Sequence, residues 1–178
     1  VEHATRNFGS DKIKFQLSDA MNVPFEDQSF DVINCSHVYE HVPDSARLLA
    51  EIRRLLKPGG VCFFSAGNRL ILMEGHYKLP FLSVIPKFSA HWYLRLLGKG
   101  DFYYENHLTL WGLRKLVSGL EIVDYTHRVI AEPAKFHAEE MVRDGSFTQK
   151  ALLTLWPMVY WLCPTYIWLL RKPIGGAK

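Results

Sequence analysis

Cysteine is scarce in this sequence, with three in 178 residues, Cys35, Cys62 and Cys163. Each sits in an apolar run and none has metal-ligand spacing. A disulfide framework and a zinc knuckle are therefore excluded, and the three read as buried thiols of a reducing compartment, the cytoplasm by default. Charge of one sign is equally scarce. Twenty-one basic residues face eighteen acidic ones, a net +3. The basic groupings, Arg53, Arg54 and Lys57, then Arg171 and Lys172, are too small for a nucleic-acid footprint, so no nucleic-acid partner is expected. Residues 1–11 have no apolar core, so no secretory leader is expected there. They also lack an initiator Met, and the sequence is expected to begin partway through a domain. Repeats and low-complexity tracts are absent. What is present is an ordinary globular composition, 48% hydrophobic and 22% charged, in a length that supports one core and one domain.

The hydrophobic pattern reads as α/β. Residues 13–17, Ile-Lys-Phe-Gln-Leu, alternate as a strand does. After Pro24-Phe25 and an acidic turn, residues 30–35 form a nearly all-apolar run, as a central parallel strand would. From Asp44, a plausible N-cap, Leu48, Leu49, Ile52, Leu55 and Leu56 form one helical stripe, with Arg47, Glu51, Arg53 and Arg54 off it. Lys57-Pro58-Gly59-Gly60 ends that helix, and residues 61–65 are a third strand. Strand, helix and strand in this order make a right-handed parallel unit. Residues 69–107 are rich in aromatics and carry Pro80 and Pro86, the pattern of a partly helical insertion. Thr109 caps a short helix to Val117, residues 121–129 alternate like a strand, and residues 165–170 after Pro164 are the last strand.

Several motifs then carry a family likeness. Ser18-Asp19-Ala20, Pro24-Phe25, Ser29-Phe30-Asp31-Val32-Ile33, Glu40-His41-Val42-Pro43-Asp44 and Leu56-Lys57-Pro58-Gly59-Gly60, in order over about the first 70 residues, resemble the middle of class I S-adenosylmethionine-dependent methyltransferases. The group they resemble most is the small-molecule type that includes ubiquinone-pathway O-methyltransferases. The resemblance implies a Rossmann-like doubly wound sheet, incomplete at the amino terminus, with an aromatic-rich insertion. It also implies S-adenosyl-L-methionine as cofactor. Asp19 and Ala20 would serve the adenine amino group and ring nitrogen, with Met21 beside them, at a strand's carboxyl end where open α/β sheets bind ligands. Ser36 and His37 match positions that touch the methionine half. Read alone, Asp19 serves equally as a turn cap. Asp31 is read as structural, and the Pro58-Gly59-Gly60 turn as a fold marker that needs glycine for positive φ. The departure is that no glycine-rich strand-to-helix loop, and no ribose-gripping acidic residue, precedes Asp19.

The same resemblance aligns His37, Glu40 and His41 with a Glu-x-x-Glu-His arrangement associated with a divalent metal or with the acceptor. With His37 in place of the first Glu, a histidine-rich set suits zinc or another transition metal better than magnesium. No residue is assigned as a metal ligand on this ground. As catalytic candidates stand His41, Glu40 and His37, then Glu74 and His76, which follow the third strand most closely. The alternative is that Glu40 and His41 only cap and orient the Asp44 helix. His91, Trp92, Tyr93, Tyr103, Tyr104 and His107 complete an aromatic wall suited to a bulky apolar substrate or to core packing. Residues 151–170 carry no charge, but Pro157 and Pro164 divide them, so a helix over 151–163 resting on a membrane surface fits better than a span. The expected function is methyl transfer to a small or lipid-linked acceptor at oxygen. The competing readings are a catalytically inactive methyltransferase-fold fragment or binding module and a membrane-associated accessory protein.

Overall fold

In the computed structural model, which describes residues 1–175, four strands form one open sheet in the order β1-β2-β4-β3. Strand β1 (Phe30–Ser36) pairs in parallel with β2 (Leu56–Gly67), and helix α2 (Ser45–Leu55) makes the crossover. The expected N-cap is present, with Asp44 Oδ1 accepting from the amides of Ala46 and Arg47, each at 3.0 Å. Such a cap satisfies donors that the first helical turn leaves free. At the other end Leu56 passes directly into strand, and Gly59 takes φ +78°, the left-handed region the turn requires.

Strand β4 (Thr165–Arg171) lies antiparallel between β2 and β3 (Glu121–Asp124). Its alternate residues Tyr166, Trp168 and Leu170 are buried against the face that also receives Cys62, Phe64, α2 and α4 (Leu110–Leu116). Thr109 caps α4 as its sequence suggests. The opposite face carries α5 (Thr126–Ala131) and α6 (Phe147–Val159). It is covered less completely, and an apolar cleft of about 310 Å³ opens among Val129, Ile130, Met141, Leu152, Trp156 and Ile167. Helices α1 (Glu2–Phe8) and α3 (Lys87–Leu96) complete the fold.

Four expectations are corrected. Residues 13–17 form no strand; Ile13 makes only an isolated bridge to Ser10, and Ile13, Phe15 and Leu17 stay exposed. A strand needs a neighbour to take its backbone groups, and no described residue pairs with the outer edge of β1. For the same reason β1 is an edge strand rather than a central one, with Val32 exposed by 65%. The alternating run 121–129 divides after Asp124, whose Oδ1 accepts from the Thr126 amide at 2.8 Å and starts α5. The apolar helix expected over 151–163 runs over Phe147–Val159 and passes into a short 3-10 turn at Tyr160–Leu162.

Beyond the helix stripe, Glu51 is almost wholly buried and clamps the chain that follows Asp19. Its Oε1 accepts from the Val23 amide at 2.8 Å, and both oxygens bind Arg54, at 2.6 and 2.9 Å. Arg54 in turn donates to the Val23 and Phe25 carbonyls and to Asp27. The Arg54 hydrogen bonds, opposed by burial, hold Glu51 below the ordinary carboxylate value of 4.5. Its stabilisation is therefore complete above that value and is lost as pH falls through the lower folded-state value. Glu51→Gln is expected to lower stability at neutral pH by roughly 1–3 kcal/mol, the scale of a buried charged hydrogen-bond partner left unmatched. In urea denaturation the gap from the parent should narrow as pH drops below about 4; a gap that stays constant would show that the carboxylate charge is not what holds the segment.

Candidate active site at the carboxyl ends of β1 and β2

The site begins where β1 and β2 stop. Strand β1 hands over to His37, whose backbone is left-handed at φ +51° and whose amide donates to the Ser65 carbonyl at 2.9 Å. Two residues on, Tyr39 is fully buried. Its hydroxyl donates to the Gly67 carbonyl at 2.6 Å and accepts from the Leu108 amide at 3.0 Å. Asn68, also fully buried, sets its side-chain nitrogen 2.9 Å from the Trp161 and Cys163 carbonyls and accepts from the Leu70 amide. Residues 69–107 therefore leave and rejoin the sheet at one place, where Asn68 bridges Leu108 and the Asn106 amide donates to the Glu40 carbonyl at 2.8 Å.

Three buried carboxylates gather under this segment: Glu40, Glu74 and Glu105, exposed by 0%, 1% and 7%. Glu40 Oε1 lies 3.1 Å from His37 Nδ1, and His37 Nε2 lies 3.1 Å from the Ser65 hydroxyl. Burial pushes the Glu40 carboxyl up, but the His37 hydrogen bond, its own backbone and the neighbouring His37 and His107 rings together hold it below its ordinary value. Glu74 Oε1 meets His76 Nδ1 at 2.8 Å, and its Oε2 accepts from the Tyr77 amide at 2.7 Å. The Glu74 bond raises the His76 pKa, with Glu105 and Glu40 adding to it against some burial. His107 moves the other way because burial disfavours its charged form. Its ring packs on Gly67 so closely that a Cβ there would lie 3.1 Å from it. Oxygen Oε2 of Glu40, Oε2 of Glu105 and Nδ1 of His107 have no hydrogen-bond partner among the described residues. His41 and His76 meet edge to face with ring centres 5.0 Å apart, and His41, His76 and Glu105 each bring one ligand atom within 4.8 Å of the others.

Of the residues singled out in the sequence, His37, Glu40, His41, Glu74 and His76 thus fall in one cluster. Glu40 grips His37 and not the adjacent His41, because in the turn after β1 side chains three apart share a side while neighbours diverge. Neither Glu40 nor His41 caps α2, since Asp44 does. Asp19 lies in an exposed turn, with Oδ1 accepting from the Met21 amide at 2.9 Å, while Ala20 and Met21 pack against the core. Ser36 is exposed, and Asp31 pairs with Lys57 on the surface. His91 Nδ1 accepts from the Tyr103 amide at 2.9 Å, a packing role. The sequence reading passed over Glu105, Ser65 and Tyr39. Only Glu105 left a signal, as a carboxylate enclosed by Tyr103, Tyr104 and His107.

The methyltransferase domain family matches residues 1–64, which include Asp19, His37, Glu40 and His41. Over those residues the chain is similar to that family. A ubiquinone biosynthesis O-methyltransferase of Coxiella burnetii is 32% identical over 119 residues, covering 64% of this chain and 46% of that protein. A demethylmenaquinone methyltransferase of Staphylococcus haemolyticus is 39% identical over 89 residues, 49% of this chain and 35% of that one. The chain spans less than half the length of these relatives. Among solved structures, a chain from the Haloferax volcanii complex of the Trm112 methyltransferase activator with a methyltransferase matches 97% of this chain and 67% of its own length, with TM-score 0.50 and 20% identity. That likeness bears on fold alone, and it agrees with the Rossmann-like strand–helix–strand unit described above.

The buried Tyr39 hydroxyl links both strand ends to the returning segment. Tyr39→Phe is expected to cost roughly 1–3 kcal/mol in chemical denaturation, because the Gly67 carbonyl and Leu108 amide are left without their partner. A loss below about 0.5 kcal/mol, the low end for one net hydrogen bond, would mean that the segment is held by other contacts.

Proposed function

We propose that this chain takes part in S-adenosylmethionine-dependent methyl transfer to a small or lipid-linked acceptor, at oxygen. The observation that supports the reading most is the coincidence of the family match over residues 1–64 with a histidine–carboxylate cluster at the ends of the parallel strands. The adenine end of the cofactor suits the Asp19 turn: an exposed carboxylate for the amino group, beside Ala20 and Met21, which are half-buried, with the Glu51–Arg54 clamp fixing the chain just beyond. Residues 1–18 hold no glycine-rich loop, so the fit is argued for that end of the cofactor alone. The cofactor when bound supplies a methyl group activated on a sulfonium. The chain's own contribution is position and proton handling.

Proton removal from an acceptor hydroxyl is assigned to His41. Its ring is exposed, whereas both His37 nitrogens are already engaged, by Glu40 and Ser65, and His76 Nδ1 is held by Glu74. The segment 69–107 supplies the acceptor side, with Tyr77, Tyr103 and Tyr104 as apolar walls. Two measurements test this. Asp19→Ala should weaken S-adenosylhomocysteine binding in calorimetry by roughly 1–3 kcal/mol, the worth of one lost polar partner. His41→Asn should cut turnover by about 100-fold or more with cofactor affinity unchanged, the usual scale of acid–base help. Equal affinity in the first variant, or full turnover in the second, refutes the respective assignment.

A lipid-linked acceptor is favoured by the apolar cleft between α5 and α6, which reaches Pro164 and Thr165 beside the end of β2. Surface contact with a membrane is favoured by α6 and the turn after it, where Phe147, Leu155, Met158, Trp161 and Leu162 are exposed. Among the described residues no helix is long and apolar enough to cross a membrane. Flotation with phospholipid vesicles should carry the protein upward, and Leu155→Glu with Met158→Glu should abolish this; flotation that is absent, or unaffected by the double variant, rules out α6 as the contact.

A further inference from the structure

We propose that His41, His76 and Glu105 form a binding site for one divalent transition-metal ion of the zinc class. The site joins the turn after β1 to both ends of the inserted segment, and its existence does not depend on the methyl-transfer reading. One potential ligand atom from each residue lies within 4.8 Å of the other two. Ligand bonds of about 2.0–2.1 Å in tetrahedral geometry place neighbouring ligand atoms roughly 3.3 Å apart, so a shift of about 1.5 Å or less closes the set. Two imidazoles and a carboxylate make a mixed nitrogen–oxygen set, which zinc and its neighbours accept and which magnesium, wanting six oxygens, does not.

Two independent features point to an ion there. Glu105 is 7% exposed, yet its Oε2 has no hydrogen-bond partner among the described residues. A buried carboxylate oxygen without a donor is costly, and a cation removes the cost. His76 is the second feature. Its Nδ1 is held at 2.8 Å by Glu74, which is itself 1% exposed and fixed by the Tyr77 amide. Carboxylate contact on one ring nitrogen fixes the tautomer and turns the other nitrogen toward a metal, the usual support of a metal-bound histidine. Three protein ligands leave a fourth position, and the half-exposed His76 and exposed His41 leave it open to solvent. If the methyl-transfer reading also holds, an ion held here would lower the pKa of an acceptor hydroxyl at that position, His41 would serve as its ligand, and the loss of turnover in His41→Asn would follow from loss of the ion.

The ligand set differs from the one suggested by the sequence, where His37 and Glu40 accompany His41. In the structure both His37 nitrogens are engaged, by Glu40 and by Ser65, and Glu40 gives Oε1 to His37.

The test is metal binding by the whole chain after chelator treatment, using Zn²⁺ in calorimetry and Co²⁺ absorbance to report coordination. One Zn²⁺ per chain is expected, with Mg²⁺ failing to compete. His41→Ala, His76→Gln and Glu105→Gln should each weaken Zn²⁺ by at least about 10-fold, and Glu74→Gln by roughly 10–100-fold through loss of ring orientation. His127→Ala, against Trp156 on the α5–α6 side, should bind normally. Circular dichroism confirms folding, and Glu105→Gln, which keeps side-chain shape, decides the matter if a histidine variant fails to fold. Absence of stoichiometric Zn²⁺ binding overturns the proposal. So does binding that survives His76→Gln and Glu105→Gln but is lost in His37→Ala and Glu40→Gln. Neither result touches the cofactor measurement on Asp19, so the two readings fail separately.

Discussion

The Tyr39 hydroxyl is the point on which the arrangement of the site turns. It donates to the last carbonyl of β2 and accepts from the Leu108 amide, so a single oxygen fastens the turn after β1, the end of β2 and the return of the inserted segment. Of these three only the end of β2 is fixed by its own secondary structure, through its pairing with β4. The turn carries a left-handed His37, β2 ends at a glycine crowded by His107, and the segment between Asn68 and Leu108 has one helix of ten residues. Burial makes the arrangement decisive. In a dry setting each unmet carbonyl or amide costs far more than it would in water, so the competing loop conformations that leave them unpaired are excluded.

Fixing the segment in this way has an electrostatic consequence. Glu74 comes from its first turn and Glu105 from its end, and both are brought beneath Glu40. Buried carboxylate oxygens are costly unless they meet a partner. In the cluster His37 lies against Glu40, and His76 and the Tyr77 amide lie against Glu74. One oxygen of Glu40 and one of Glu105 are left without a hydrogen-bond partner among the described residues.

How much of this was legible in the sequence follows from the range of each interaction. Helix α2 was read with its Asp44 cap and its buried stripe because both lie within eleven residues of each other, and the β1–α2–β2 unit followed from them. The strand expected at 13–17 failed because alternation states only that a strand is possible; pairing requires a neighbour, and none among the described residues borders it. The antiparallel place of β4 between β2 and β3 could not be read either, since Trp168 and Leu170 mark a buried face without naming which strand lies beside them. At the site, His37, Glu40 and His41 stood out as residue types, but their partners did not. Glu40 meets His37 through a turn geometry, and Glu105 reaches the cluster across more than sixty residues of sequence.

The sheet and the insertion are also constrained differently. The sheet residues Cys62, Phe64, Trp168 and Leu170 must fit one core, and a change in any of them is felt by α2 and α4. The segment 69–107 has its own small core of Leu79, Leu82, Ala90, Leu94 and Tyr103, and it meets the sheet through main-chain bonds at Asn68, Asn106 and Leu108. Main-chain bonds tolerate any side chain. A segment attached in that manner can exchange its aromatic wall and its histidines while the strands beneath keep their register, so what the site accepts is set by the part of the chain least constrained by the fold.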